Sequence, residues 1–203
     1  MKIICIGRNY GEHAKELGNT IPDEPVVFMK PTSAMIPSAG PIILPAFSKE
    51  VQHEVELVYI IGKRNGRSVA DKVTLGLDLT ARDVQQELKS KGLPWEKAKA
   101  FDGSAYVAEA RSAMESHPAG HHIDFMLKKN GHEVQSGHSG QMLFDIEALI
   151  AHVERYISLD SGDLLFTGTP AGVGRLTDGD RLEGYMLGEL VFDLEVKAAP
   201  SVG

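Results

Sequence analysis

Two glutamates one residue apart, Glu54 and Glu56, lead into the run Leu57-Val58-Tyr59-Ile60-Ile61-Gly62. That run is β-branched and apolar and stops at a glycine, the pattern of a buried strand. Side chains alternate faces along a strand, so Glu54 and Glu56 point one way while Val55 and Leu57 point the other. Two neighbouring carboxylates entering a buried run repel each other and are costly to desolvate. Something positive therefore belongs between them. A hard divalent cation with oxygen ligands suits the place, and Mg²⁺ in particular takes few protein carboxylates and keeps positions open for water or substrate. A bare Glu-x-Glu reads first as a polar strand end facing solvent. The third carboxylate, Asp78, embedded in Leu75-Gly76-Leu77-Asp78-Leu79, tips the reading toward a metal.

A second constellation offers acid–base chemistry. Asn9 is a plausible N-cap for a short helix from Tyr10 to Leu17, closed by Gly18. On it His13 and Glu16 stand three residues apart and share a face. A carboxylate that orients an imidazole and favours its charged form is a common general-base arrangement. The spacing alone also fits a solvated helix face carrying Glu12, His13, Lys15 and Glu16 as surface charge. Arg82 and Gln85 open an amphipathic helix just after Asp78, close enough in sequence to line the same pocket. Lys97 and Lys99 fall on one face if their stretch is extended. Thr167-Gly168-Thr169-Pro170-Ala171-Gly172-Val173-Gly174 suggests a phosphate loop, but it lacks the lysine of one, and its glycines do not fit a dinucleotide fingerprint.

Five motifs turn these separate signals into a family resemblance. They are Gly7-Arg8-Asn9-Tyr10, His53-Glu54-Val55-Glu56-Leu57, Leu77-Asp78-Leu79-Thr80-Ala81-Arg82-Asp83, Trp95-Glu96-Lys97-Ala98-Lys99-Ala100-Phe101-Asp102 and Thr167-Gly168-Thr169-Pro170. Together, in this order and over nearly the whole chain, they resemble the fumarylacetoacetate hydrolase family, and most closely its small, single-domain acylpyruvase members. The resemblance implies a mixed β-roll, usually a homodimer, with Mg²⁺ or Mn²⁺ on Glu54, Glu56 and Asp78. It assigns the His13–Glu16 pair to a mobile lid, for which Gly18 and Pro22 are suitable, and the working lysine to Lys99. Lys30, in a Phe-x-Lys-Pro pattern, becomes a contact for the substrate carboxylate. Arg82, Gln85 and the Thr169 hydroxyl and backbone would orient the substrate. The implied reaction is hydrolytic C–C cleavage of an acylpyruvate, a small anionic 2,4-diketo acid. His13 would activate water, and pyruvate would leave as an enolate stabilised by the metal and Lys99. Oxaloacetate decarboxylation and 2-oxo-enoate isomerisation or hydration share that metal site and are the enzymatic rivals. A keto-acid-binding domain without turnover is the third. The chain departs from several relatives at Ala105-Tyr106, where they carry Cys-Pro.

The remaining sequence must position these groups. The 203 residues, 42% hydrophobic and 24% charged, read as one catalytic domain with a sizeable core. The formal charge of −7 argues against non-specific nucleic-acid binding, so an anionic substrate needs local cations. No apolar run is long enough to span a bilayer. The single cysteine, Cys5, sits in an apolar strand pattern as an inert core residue, and a reducing cytoplasm is the simplest compartment. Many short strands and Gly/Pro turns predict a β-dominated α+β fold. Strands are expected over Lys2–Ile6, Glu24–Met29, 51–62 and Val73–Leu79. An edge strand is expected within Pro37–Pro45, a hairpin about Asn130-Gly131, and two last strands about Leu187-Gly188. A weak helical signal begins at Ser68–Asp71, and the clearest long helix is Asp145–Ile157, with Ile146, Leu149, Ile150, Val153 and Ile157 at helical spacing. The histidine-rich stretch from Arg111 to His122 reads as a surface loop.

Overall fold

Apolar runs without alternation predict strands buried on both faces, and β1 (Ile3–Gly7) shows how. Ile4 and Ile6 pack with Leu165 and Ile61 beneath a helix, while Ile3 and Cys5 pack on the opposite face with Val58 and Phe166. A computed structural model describes residues 1–16, 18, 20–37, 40–113 and 121–199. Among these the chain is strand-dominated, with a curled half-barrel sheet as the expected β-roll requires.

The strands form three sheets. The largest has the order β2-β1-β12-β5-β6-β8, with β9 (Arg111–Ser112) also paired to β6. Here β2 is Val26–Lys30, β5 Val55–Arg64, β6 Arg67–Asp78, β8 Ala105–Val107 and β12 Leu164–Phe166. The second sheet has the order β11-β10-β14-β15-β3. It comprises β11 (His132–His138), β10 (Asp124–Lys129), β14 (Arg181–Met186), β15 (Glu189–Ala198) and, at its edge, β3 (Ile42–Leu44). A small third sheet joins β13 (Gly174–Arg175), β4 (Val51–His53) and β7 (Thr80–Ala81). Leu57, Leu75 and Leu77 of the first sheet meet Phe125, Leu182, Phe192 and Val196 of the second in the main core. Four helices accompany the sheets among the described residues: α1 (Gly11–Glu16), α2 (Arg82–Ser90), α3 (Glu96–Lys99) and α4 (Ile146–Val153). None is long and apolar enough to cross a membrane.

The β5–β6 hairpin sets the register that matters. Asn65 and Gly66 both have positive φ, 51° and 76°, the turn whose twist suits two tightly joined strands. Glu56 then faces Gly76 and Val55 faces Leu77, and the Asp78 amide donates to the Glu54 carbonyl at 2.9 Å. Gly76 is required for packing: a Cβ there would lie 2.6 Å from the Tyr106 carbonyl oxygen and 2.6 Å from Val58 Cγ2.

The expected strands, both hairpins and the edge strand are present; Ser38 and Ala39 lie outside the described residues. Four local expectations are not met. Ser68–Asp71 is strand, because Ser68, Val69 and Ala70 pair with Lys63, Gly62 and Ile61. Trp95–Lys99 is helical at its end, so Lys97 is exposed while Lys99 is buried. The helix opened by Asp145, whose Oδ1 accepts from the Ala148 amide at 2.8 Å, runs regularly only to Val153. Asn9 does not cap α1: its Nδ2 donates to the Phe144 and Thr167 carbonyls and its Oδ1 accepts from the Phe144 amide. His117 lies outside the described residues; His121 and His122 are exposed.

Candidate metal centre and active site

Glu54 stands where the chain steps from the small sheet into the large one, between β4 and β5. With Glu56 on β5 and Asp78 ending β6, it forms a buried triad whose ligand oxygens lie within 4.8 Å of one another. Three cations surround it. Lys99 Nζ, delivered by α3, is 2.8 Å from Glu54 Oε2 and 2.6 Å from Asp78 Oδ2. Arg82 donates from Nη2 to Glu54 Oε1, from Nε to Gln52 Oε1 at 2.7 Å and from Nη1 to Gln85 Oε1 at 2.7 Å. Lys30 Nζ lies 2.8 Å from Asp78 Oδ1.

The cations are unevenly shared. Burial alone would raise the Glu54 carboxyl, but Lys99, Arg82 and His13 hold it well below the usual range. Lys99 is opposed by its own burial yet held above the ordinary lysine value by Asp78 and Glu54, so it stays an ammonium. Glu56 is pushed far up, by burial first and then by Asp78 and Glu54; Lys99 and one amide, that of Gly168, oppose this. That amide donates to Glu56 Oε2 at 2.7 Å. Asp78 Oδ1 is buried and accepts no hydrogen bond, since Lys30 is close to it but off the hydrogen-bonding angle. A carboxylate without sufficient counter-charge, an orphaned carboxylate oxygen and an all-oxygen donor set fit a hard divalent cation.

The triad, His13, Arg82, Gln85, Lys99 and Thr169 line one cavity. His13 is buried, with Nδ1 3.1 Å from Glu16 Oε2, while Glu16 Oε1 accepts from the Gly172 amide at 3.0 Å. A Cβ at Gly172, whose φ is +99°, would come 2.1 Å from the Val134 carbonyl oxygen. Glycine therefore lets the loop after β12 lie against β11 while its amide reaches Glu16 of α1. With Nδ1–H donated to the carboxylate, Nε2 is the nitrogen that can exchange a proton.

Two expected substrate contacts sit differently. Lys30 lies beneath the triad, fully enclosed, with its ammonium donating to the Ser104 carbonyl and hydroxyl and the Lys99 carbonyl. A cation committed to these oxygens neutralises Asp78 and fixes the turn that carries Lys99; it does not face the cavity. The Thr169 hydroxyl donates to the Val55 carbonyl and accepts from Gln135 Nε2, both at 2.8 Å, so its proton is not free for a ligand. Gln135, unmarked in the sequence, ties the site together. Its Oε1 accepts from the Val55 amide and from His53 Nδ1, and its Nε2 also donates to the Pro170 carbonyl. Burial keeps His53 below the ordinary imidazole value, and so neutral. Arg8, Lys89 and Trp95 also line the cavity. For Lys89 a signal existed: Arg82, Gln85 and Lys89 recur at helical spacing on one face of α2.

Comparison with known proteins agrees with this architecture. A model of the fumarylacetoacetate (FAA) hydrolase C-terminal family matches residues 2–194. Over 203 aligned residues the chain is 40% identical to the mouse protein named mitochondrial oxaloacetate tautomerase FAHD1, covering 96% of this chain and 91% of that one. It is 39% identical to oxaloacetate tautomerase YcgM of Escherichia coli K12, covering 89% and 86% respectively. Among solved structures it resembles the fumarylpyruvate hydrolase of Pseudomonas aeruginosa in complex with Mn²⁺ and pyruvate. The TM-score is 0.88 and the identity 31%, over 98% of this chain and 90% of that one.

Proposed function

The chain belongs to the fumarylacetoacetate hydrolase family, and from that premise we propose that it interconverts the keto and enol forms of oxaloacetate on a site loaded with Mg²⁺ or Mn²⁺. The observation that carries this reading is His13, oriented by Glu16, in the same cavity as the carboxylate triad and Lys99. A divalent cation held by Glu54, Glu56 and Asp78 would supply Lewis acidity and orient the keto acid. His13 Nε2 takes a proton from the carbon between the two carbonyl groups, and the electron pair moves onto the keto oxygen. The Lys99 ammonium stands where that charge develops. Returning the proton to oxygen gives the enol, and the reverse sequence gives the keto form. Arg82 and Gln85, which line the cavity, orient the ligand. Two relatives at 39–40% identity carry the tautomerase name.

Acylpyruvate hydrolysis is the second reading, favoured by the same imidazole, which could deprotonate a water, and by the likeness to a fumarylpyruvate hydrolase. Decarboxylation would leave that base without a task. The test is a keto-acid panel with and without Mg²⁺ or Mn²⁺ after exhaustive chelation. Loss of enol oxaloacetate absorbance with no release of pyruvate or CO₂ is expected. Faster pyruvate release from acetylpyruvate would assign hydrolysis instead, and no turnover of either would leave a keto-acid-binding domain. The same reading takes the chain as one catalytic unit acting as a cytoplasmic homodimer, to be checked by sedimentation and by localisation of the tagged protein.

A further inference from the structure

We infer that Arg8 and Lys89, gathered at the Trp95 ring, form an anion subsite for a second carboxylate of the substrate, so that the enzyme selects keto diacids over keto monoacids. The inference rests on the keto-acid reading and specifies its substrate class.

Lys30, Arg82 and Lys99 are committed to Asp78 and Glu54 of the triad. Arg8 and Lys89 line the same cavity but pair with none of the three carboxylates. Both lie over one indole: Arg8 Cζ is 5.9 Å and Lys89 Nζ 5.4 Å from the Trp95 ring centroid. Among the described residues neither makes a hydrogen bond or an ion pair, and Arg8 Nε is buried without a partner. Two like charges on one aromatic ring repel, and a buried guanidinium nitrogen without an acceptor is costly. Lys89 feels this crowding: burial first, then Arg8, Arg82 and Lys99, hold it below the ordinary lysine value.

The backbone puts Arg8 there deliberately. It has φ of 61°, a left-handed conformation unusual outside glycine, asparagine and aspartate. The following residue, Asn9, locks that turn to Phe144 and Thr167. On α2, Lys89 follows Arg82 and Gln85 along the face that looks into the cavity. A carboxylate between the two cations would satisfy Arg8 Nε and relieve their repulsion. A guanidinium edge suits a carboxylate in a way a ring face alone does not. A cation held by the triad would take the keto-acid head, leaving this subsite for the other end of the molecule.

Trp95 is the single tryptophan, so its emission reports binding without turnover. The experiment titrates Mn²⁺-loaded wild type, Arg8→Gln and Lys89→Gln with oxaloacetate and with pyruvate, which has the same head and no second carboxylate. Wild type should bind oxaloacetate more tightly than pyruvate. Each variant should weaken oxaloacetate roughly tenfold, the scale of one charge-assisted hydrogen bond, and leave pyruvate within about twofold. KM for oxaloacetate should rise by a similar factor with kcat little changed. Equal weakening of both ligands, or of neither, overturns the subsite, as does equal affinity of wild type for the two. If wild type binds but turns over neither keto acid, the reaction is misassigned while the split in dissociation constants still decides the subsite. Should Arg8→Gln fail to fold, Lys89→Gln, on a half-exposed helix position, decides alone.

Discussion

Glu54 and Glu56 are the same residue type two positions apart, yet their environments drive them in opposite directions. Glu54 holds Lys99 and Arg82 directly; Glu56 has a single amide and two carboxylate neighbours. The difference marks where a cation belongs, and it separates the metal from the acid–base group. His13 lies outside the triad, so His13→Ala should depress turnover by roughly two to four orders of magnitude, the scale of a positioned acid–base group. Mn²⁺ affinity measured by calorimetry should stay as in wild type. Normal turnover by that variant would make His13 ordinary lid surface. Lys99→Met should slow both oxaloacetate tautomerisation and any acylpyruvate cleavage, because each places charge on the same oxygen. A loss confined to one substrate would show that Lys99 does not serve the shared step. The triad and the His13–Glu16 spacing were legible because carboxylates in apolar strands and i, i+3 pairs are local patterns. Lys30 was not, because a lysine at a strand end carries no sign of whether its head meets solvent or Asp78.

At the scale of elements, Glu16 performs two tasks with two oxygens: one orients His13 and the other holds α1 against Gly172. Glu16→Gln can keep the acceptor for Gly172 but presents an amide donor to the imidazole, which favours the wrong tautomer. We expect it to lower kcat while hydrogen exchange at Gly11–Glu16 stays slow. Glu16→Ala should lower kcat and speed that exchange; unchanged exchange would mean that the tether does not hold the lid. A second staple joins β1 to β12. Asp163 accepts from the Lys2 amide at Oδ1 and from the Asp160 amide at Oδ2, and Lys2 Nζ lies 2.8 Å away. Burial opposes its charge, but these donors hold the carboxyl below its ordinary value. A depressed pKa contributes stability that is present above the unfolded value near 3.9 and lost as pH falls through the folded one. Asp163→Ala should therefore cost about 1–3 kcal/mol at neutral pH, with the gap to wild type closing in strong acid. A gap independent of pH would mean the side chain acts through packing. Hairpins announced by Asn-Gly or Leu-Gly were readable from short-range turn chemistry. Asn9 was not, because its partners, Phe144 and Thr167, lie across the molecule and outside any local window. Ser68–Asp71 pairs with Lys63–Ile61 across the nearby Asn65-Gly66 turn, a short-range signal that the weak helical pattern there masked.

Across the whole molecule the site is where the sheets and helices end together. Glu54 comes from the junction of the small and large sheets, Asp78 from the end of β6, Lys99 from α3, His13 from α1 and Gly168 from the loop after β12. No unfolded chain holds that set, so a cation there binds the native state alone and stabilises it by mass action. At a free concentration a hundred times its dissociation constant the gain is about 2.7 kcal/mol. For a chain of this size that is a rise in melting temperature of roughly 5–10 °C. Glu56→Gln separates function from stability at this scale. It removes a buried carboxylate that repels two others, while its amide oxygen can still accept from Gly168. The variant should therefore melt above wild type when both are chelated, and Mn²⁺ should no longer raise its melting temperature. The measurement is calorimetry of both proteins in chelator and across a Mn²⁺ series. If chelated wild type melts as high as the Mn²⁺-loaded protein, or above chelated Glu56→Gln, the three carboxylates are not held together against their own repulsion for a metal.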